Sequence, residues 1–364
     1  MLALALSGRH LGRWLVGWVR SLADRVDPGG PRHVLFALCD HFEPLWAHAD
    51  ASTGLARVER WRRAYPDLAR AHRDTGGRPP RHSFFFPLEQ YRPEYLEELA
   101  ELAAAGLAEV EIHLHHDHDD ATHLRRTLEH GVADLCRHGL LGRDADGRAR
   151  YGFIHGDWSL ANCRRDGRHC GVDAELPVLF ETGCYADFTF PSAPDQTQPA
   201  IVDSIYWPTG DLRRARSHER GQRARVGVVQ NDRILCMQGP LALASGGRFG
   251  LRIENGALTA RDPATAMRVR SWVAQCIHVD GRPEWIFMKV HTHGAPEAQA
   301  DALLGSGGHA LHQALGMLAG DGRTLLHYVT ARELFNVALA AMHGRSGDPT
   351  SYLDFSITPP PVTT

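Results

Sequence analysis

The stretch Glu109-Val110-Glu111-Ile112-His113-Leu114-His115-His116-Asp117-His118-Asp119-Asp120 decides how this chain is read. Successive side chains of a strand point to opposite faces. Val110, Ile112 and Leu114 therefore share one face, while Glu111, His113 and His115 share the other. The apolar face suits packing on helices, which leaves the polar face to point into a lumen or cleft. From His113 to Asp120 there are four histidines and three aspartates. Burying such groups unpaired is costly, and a hard or borderline divalent metal satisfies them. A solvated His/Asp loop is the alternative. The position of the cluster at the end of a buried strand favours the metal.

Working outward, apolar runs at 33–39, 82–86, 109–114, 151–155, 184–190, 285–290 and 325–329 read as strands. Helical periodicity appears at 55–74, 93–106, 121–138, 173–182, 263–277, 300–318 and 331–343. A polar stretch, 191–224, reads as a long inserted loop, and 225–237 and 249–259 as additional strands. Strands alternating with helices imply a mainly parallel sheet. The expected fold is α/β, and the strand count suits a single closed or nearly closed (β/α) barrel over 31–345. An N-terminal amphipathic helix and linker (1–30) precede it, and a loosely ordered proline-rich tail (346–364) follows. In such barrels the chemistry sits at the C-terminal ends of the strands.

Other polar clusters follow other strands. Asp40, His41 and Glu43 leave the first strand together in Cys39-Asp40-His41-Phe42-Glu43-Pro44, although Asp40 could instead cap a turn. Lys289-Val290-His291-Thr292-His293-Gly294 follows the 285–290 strand and puts His291 and His293 on one face. Phe153-Ile154-His155-Gly156-Asp157-Trp158 offers Asp157 and an aromatic platform, with Trp158 equally readable as core. Tyr185-Ala186-Asp187-Phe188 offers Asp187. No GxGxxG, GxxxxGK[ST] or GxSxG occurs, which argues against phosphate-loop and serine-elbow chemistry.

Composition narrows the field. A formal net charge of −3 gives no basic stripe for nucleic acid. Seven irregularly spaced cysteines do not make a disulfide framework and point to a reducing, cytoplasmic setting. Between Cys163 and Cys170 there is no CxxC pair, and Asp166-Gly167 reads as a turn, not as part of a zinc site. The apolar spacing at 11–22 reads as a helix packed on the barrel, with peripheral membrane contact as the alternative.

The order of these motifs resembles the polysaccharide deacetylases, the carbohydrate esterase family four relatives, over roughly 31–345. Cys39-Asp40-His41 stands where that family has an Asp pair. Glu111-Ile112-His113-Leu114-His115 matches its Glu-Ile-Gly-x-His motif except at His113, and Asp119 replaces its second histidine. Lys289-Val290-His291 resembles its late Leu-x-His motif. Its Arg-Pro-Pro-Tyr segment is absent, and His155-Gly156-Asp157-Trp158 stands there instead. The resemblance implies a distorted (β/α) barrel of seven strands and a divergent metal-dependent hydrolase that removes acetyl groups from an acetylated glycan. It implies one divalent metal, zinc, on Asp40 or His41, on His115, and on Asp119 or His118. Asp40 is the expected base if His41 takes the metal, and His291 the expected acid. His113, His116 and Asp157 orient ligands or substrate, and Trp158, Asp187 and His293 face the substrate. Two rivals stand beside it: a multinuclear phosphoesterase or amidohydrolase using His113, His115, His291 and His293, and a non-catalytic glycan-binding protein on a degenerate barrel.

Overall fold

The computed structural model describes residues 10–246 and 250–362. The apolar run 1–6, the first residue of the 249–259 stretch and the last two residues of the tail lie outside the described residues. The chain forms α1 (Leu11–Ser21), β1 (Arg32–His41), α2 (Ala51–Arg70), β2 (His82–Pro87), α3 (Pro93–Ala104), β3 (Ala108–Leu114), α4 (Ala121–Arg137), β4 (Gly142–Arg143) and β5 (Ala149–His155). Then come α5 (Glu175–Thr182), β6 (Cys184–Asp187), β7 (Ile205–Pro208), β8 (Gly221–Arg223), β9 (Leu235–Met237), β10 (Ala242–Ser245), β11 (Leu251–Glu254) and β12 (Ala257–Leu258). The last part holds α6 (Ala266–Val273), β13 (Trp285–Thr292), α7 (Glu297–Leu304), α8 (Ser306–Gly316), β14 (Thr324–Tyr328) and α9 (Ala331–Met342).

Twelve strands form one mostly parallel sheet. At its centre, β13 runs beside β1 along most of its length, from His33 to Asp40. On the other edge of β1, β14 pairs with the first half and β2 with the second. Within this sheet the antiparallel pairs are β4 with β5, and β7 with β8 and β9, while β10 and β11 form a separate antiparallel pair. Backbone bonds run on from β13 through irregular chain: Phe287 N donates to Ile277 O, Asp280 N to Ala224 O, and Ala224 N to Ile205 O of β7. The inserted stretch 191–224 is not all loop, since it carries β7 and β8. The helix expected at 300–318 breaks at Gly305 into α7 and α8.

Alternation sorts the sheet residues as the sequence pattern requires. Val34, Phe36, Leu38, Val110, Ile112, Ile286 and Met288 face the core shared with the helices. Leu35, Ala37, Cys39, Phe85, Ile154 and Phe287 face the other way, and there they pack on Leu334, Phe335, Val337, Ala338 and Met342 of α9. Every residue of α9 is buried, as expected of a helix that is apolar nearly all round. Its three polar side chains are all paired. Arg332 binds both oxygens of Glu109 at 2.8 and 3.0 Å. Glu333 pairs with Arg78 and Arg81 and closes the capping box with Thr330. Asn336 donates to Leu353 O and Ile357 O.

Those last bonds correct the expectation of a loose tail. Arg332 also donates to Leu353 O and Ile357 O, so residues 353–357 supply carbonyl acceptors that the buried donors of α9 require. At the other end, α1 buries Leu11 and Trp14 against Ala193, Val202 and Leu241, while Val16 and Val19 stay exposed. No helix among the described residues is long and apolar enough to cross a membrane.

Arg332→Met should leave the Glu109 carboxylate, 2% exposed as a residue, with no charged partner closer than Arg81 at 3.4 Å and one neutral hydrogen bond, from Thr330 Oγ1 at 2.8 Å. Removing one partner of a buried ion pair costs about 3–5 kcal/mol. The expected outcome is a lowered urea midpoint together with faster proteolytic cleavage within 345–358, and an unchanged midpoint would contradict this account.

Candidate functional site

The C-terminal ends of β1, β3 and β13 converge. His41, Glu43, His113, His115, His291 and His293 gather there, on the face of the sheet that carries Leu35, Phe85 and Ile154. Ring centroids lie 5.1 Å apart for His41 and His113, 4.7 Å for His41 and His293, and 5.9 Å for His41 and His291. Glu43 is the hub. One carboxylate oxygen is 3.0 Å from His115 Nε2 and 3.7 Å from His113 Nε2; the other is 2.8 Å from His293 Nδ1. Glu43, His113 and His115 each offer a donor atom within 4.8 Å of the others, a grouping that can hold a metal ion.

The outer nitrogens of these two histidines are already committed. His113 Nδ1 donates to Ile154 O at 2.8 Å, and His115 Nδ1 meets Glu89 at 2.6 Å. Such partners fix ring orientation and tautomer in metal-binding histidines. His113 Nε2, His41 Nε2 and His291 Nδ1 are buried without a hydrogen-bond partner. Burial disfavours the charged Glu43, but the nearby His113 and the hydrogen bonds from His115 and His293 outweigh it and hold its carboxyl well below the usual range. Burial likewise disfavours the His115 imidazolium, and bonds to Glu43 and Glu89 reverse this, raising its pKa to about 10. His41 and His291 go the other way. Burial holds both well below the ordinary histidine value, helped by His293 and His113 at His41 and by Lys289 at His291. Lys289, 1% exposed, lies on the same face and donates to Phe188 O and Phe190 O.

A cleft of about 520 Å³ opens on His291 and His293; Trp158, Ser192, Asn255 and Thr259 are among the residues that line it. Trp46 packs against His293 with ring centroids 5.2 Å apart and the planes tilted by 56°.

The remaining sequence candidates lie elsewhere. Asp40 stands on the helix-facing side of β1, because adjacent strand residues point oppositely. It accepts from Gly294 N at 2.6 Å and contacts His82 Nε2 at 2.9 Å. A Cβ on Gly294 would come within 2.1 Å of that carboxylate. His118 turns to solvent, with its side chain 83% exposed and φ 50°. His116 and Asp119 belong to a separate cluster with His155, Cys170 and Glu175, on the helix side of the sheet. Asp157 pairs at 3.1 Å with His169 on the surface. Asp187 is buried, accepts from Thr189 Oγ1, and is pushed up to about 7 by burial. A third donor grouping, His33, His327 and Asp348, lies at the opposite end of β1 and includes an exposed aspartate.

Glu43 and Glu89 were not assigned roles from the sequence. Glu43 carried a signal, since it leaves the first strand two residues after His41. Glu89 carried none, because only the pairing of β2 with β3 brings it to His115.

Comparison with protein-family models matches no family, and comparison with curated proteins matches no relative.

Gly156 packs its backbone directly against His115. A Cβ there would stand 2.3 Å from His115 Cδ2 and 2.8 Å from Leu114 O. Gly156→Ala should therefore displace the His115 ring and cost about 1–3 kcal/mol, the usual range for overpacking. Thermal denaturation and the ring resonances of His115 check both parts.

Proposed function

We propose that this chain is a metal-dependent acyl hydrolase of the deacetylase kind, acting on an acetylated glycan. The observation that carries the reading is the buried Glu43, His113 and His115 grouping, with its outer nitrogens already bonded to Ile154 O and Glu89, beside an open cleft. Three protein donors and an open side are the pattern of catalytic zinc sites. Glu43, His113 and His115 would hold the divalent ion, zinc in this reading. When bound, it supplies Lewis acidity toward an acyl oxygen and acidifies water toward a pKa of about 7.

The chain's own groups do the rest. His41 takes the base role, because its buried Nε2 is unpartnered and burial keeps the ring neutral. Asp40 does not suit that role; its carboxylate is committed to His82 and Gly294 on the other side of β1. Through Gly294 it positions the turn that carries His293. His291, lining the cleft with its ring centroid 5.9 Å from that of His41, passes to the leaving nitrogen or oxygen the proton that His41 takes from water. Its depressed pKa makes the imidazolium, once formed, a ready donor. His293 orients Glu43. Trp158 and Trp46 suit sugar rings, which present apolar faces. The sheet is read as a distorted barrel, supported by the backbone bonds that continue from β13 to β7. The cytoplasmic setting rests on the cysteine pattern alone.

Metal content and turnover, measured together on amide and activated-ester substrates, test the roles. His115→Ala should lose both metal and activity. His41→Ala and His291→Ala should keep the metal and lose on the order of 10²–10⁴-fold in rate, the usual worth of a positioned proton-transfer group. The His291→Ala loss should shrink on an activated ester, whose leaving group needs no proton. If His291→Ala also empties the site, the multinuclear phosphoesterase or amidohydrolase reading moves ahead. Glycan binding without acetate release or metal would select the non-catalytic reading.

A further inference from the structure

The second cluster is chemically unlike the cleft. His116 Nε2 lies 3.1 Å and His155 Nε2 3.3 Å from the same oxygen of Glu175. Cys170 Sγ lies 3.6 Å from the other oxygen. All four residues offer donor atoms within 4.8 Å of one another. Zinc bonds of about 2.0–2.1 Å to nitrogen, 2.0–2.2 Å to oxygen and 2.3 Å to sulfur give tetrahedral donor–donor edges of roughly 3.3–3.6 Å, close to these separations.

The surroundings are those of a ligand set. His155, Cys170 and Glu175 are fully buried. His155 Nδ1 is bonded to Gly156 O, while its Nε2 is buried and has no hydrogen-bond partner. His116 Nδ1 is held by Asp119 at 3.1 Å, and His123 in turn holds Asp119 at 2.7 Å. Both imidazoles are thus fixed from behind, with Nε2 aimed at Glu175, the arrangement that outer partners impose on metal ligands. The other oxygen of Glu175 accepts from Ala161 N.

We propose that His116, His155, Cys170 and Glu175 form a structural zinc site, distinct from the cleft. Four protein donors, all but one fully buried, leave no open position, which marks a structural and not a catalytic site. It joins the chain after β3, the end of β5 and the start of α5. The loop 156–170 between them carries Trp158 to the cleft rim. Asp157, Trp158, Ala161, Asn162 and His169 of that loop have φ between 50° and 64°. Non-glycine residues keep such backbone only where their surroundings hold it.

Sulfur separates this site from the cleft, whose donor grouping has none. The full chain is stripped of metal with a chelator and reconstituted with Co(II). The expected wild-type result is two metal equivalents and a near-ultraviolet thiolate-to-cobalt charge-transfer band. Cys170→Ser should lose the band and one equivalent. His113→Ala should lose the other equivalent and keep the band, so failure of the cleft reading shows separately. If Cys170→Ser does not fold, the wild-type spectrum still decides. Absence of the band from cobalt-treated wild-type protein overturns the site, and so does its survival in Cys170→Ser.

Discussion

A carboxylate enclosed by histidines is the constraint on which the rest of the cleft depends. Glu43 is 4% exposed. An ionised carboxylate in such a place is costly unless it is paired and hydrogen-bonded. His113, His115 and His293 supply that pairing from two other strand ends. Each of them is held in turn, by Ile154 O, by Glu89, and by the turn that Asp40 anchors through Gly294. The ends of β1, β3 and β13 are therefore tied by one polar centre, where the apolar packing of the sheet stops.

The same rule governs the far end of the sheet. Arg332 and Glu109 are almost fully buried and meet in a two-bond pair. The remaining donor of Arg332 is satisfied by the C-terminal segment. Buried charge there makes the tail part of the fold. Both ends of the sheet thus carry polar networks, and apolar side chains of β1, β13 and α9 fill the space between.

The extension of β3 divides two environments. His115 turns to Glu43 and the open cleft; His116, the next residue, turns to Glu175 and a closed pocket among the helices. Strand alternation alone separates them. Of the four histidines in the tract 113–118, His113 and His115 go to the cleft, His116 joins His155 in the second cluster, and His118 faces solvent.

Much of the cleft was legible in the sequence because strand geometry is local. The period of two placed His113 and His115 together on the polar face, and the position of His291 after an apolar run placed it at a strand end. The alternating elements also declared an α/β chain with a mainly parallel sheet. Local pattern could not choose between Asp40 and His41, since that choice depends on which face the helices cover. It could not foresee that Glu89, Cys170 and Glu175 reach these histidines, because each arrives from a loop or helix start whose place is set by long-range strand pairing. Nor could it place α9 on the opposite face of the sheet from α2–α8, or the tail upon it. By itself the sequence determined which residue types gather at strand ends, through a periodicity that every strand obeys. Only the tertiary structure decided which of them meet, because burial makes each charged group depend on partners that are distant in the chain.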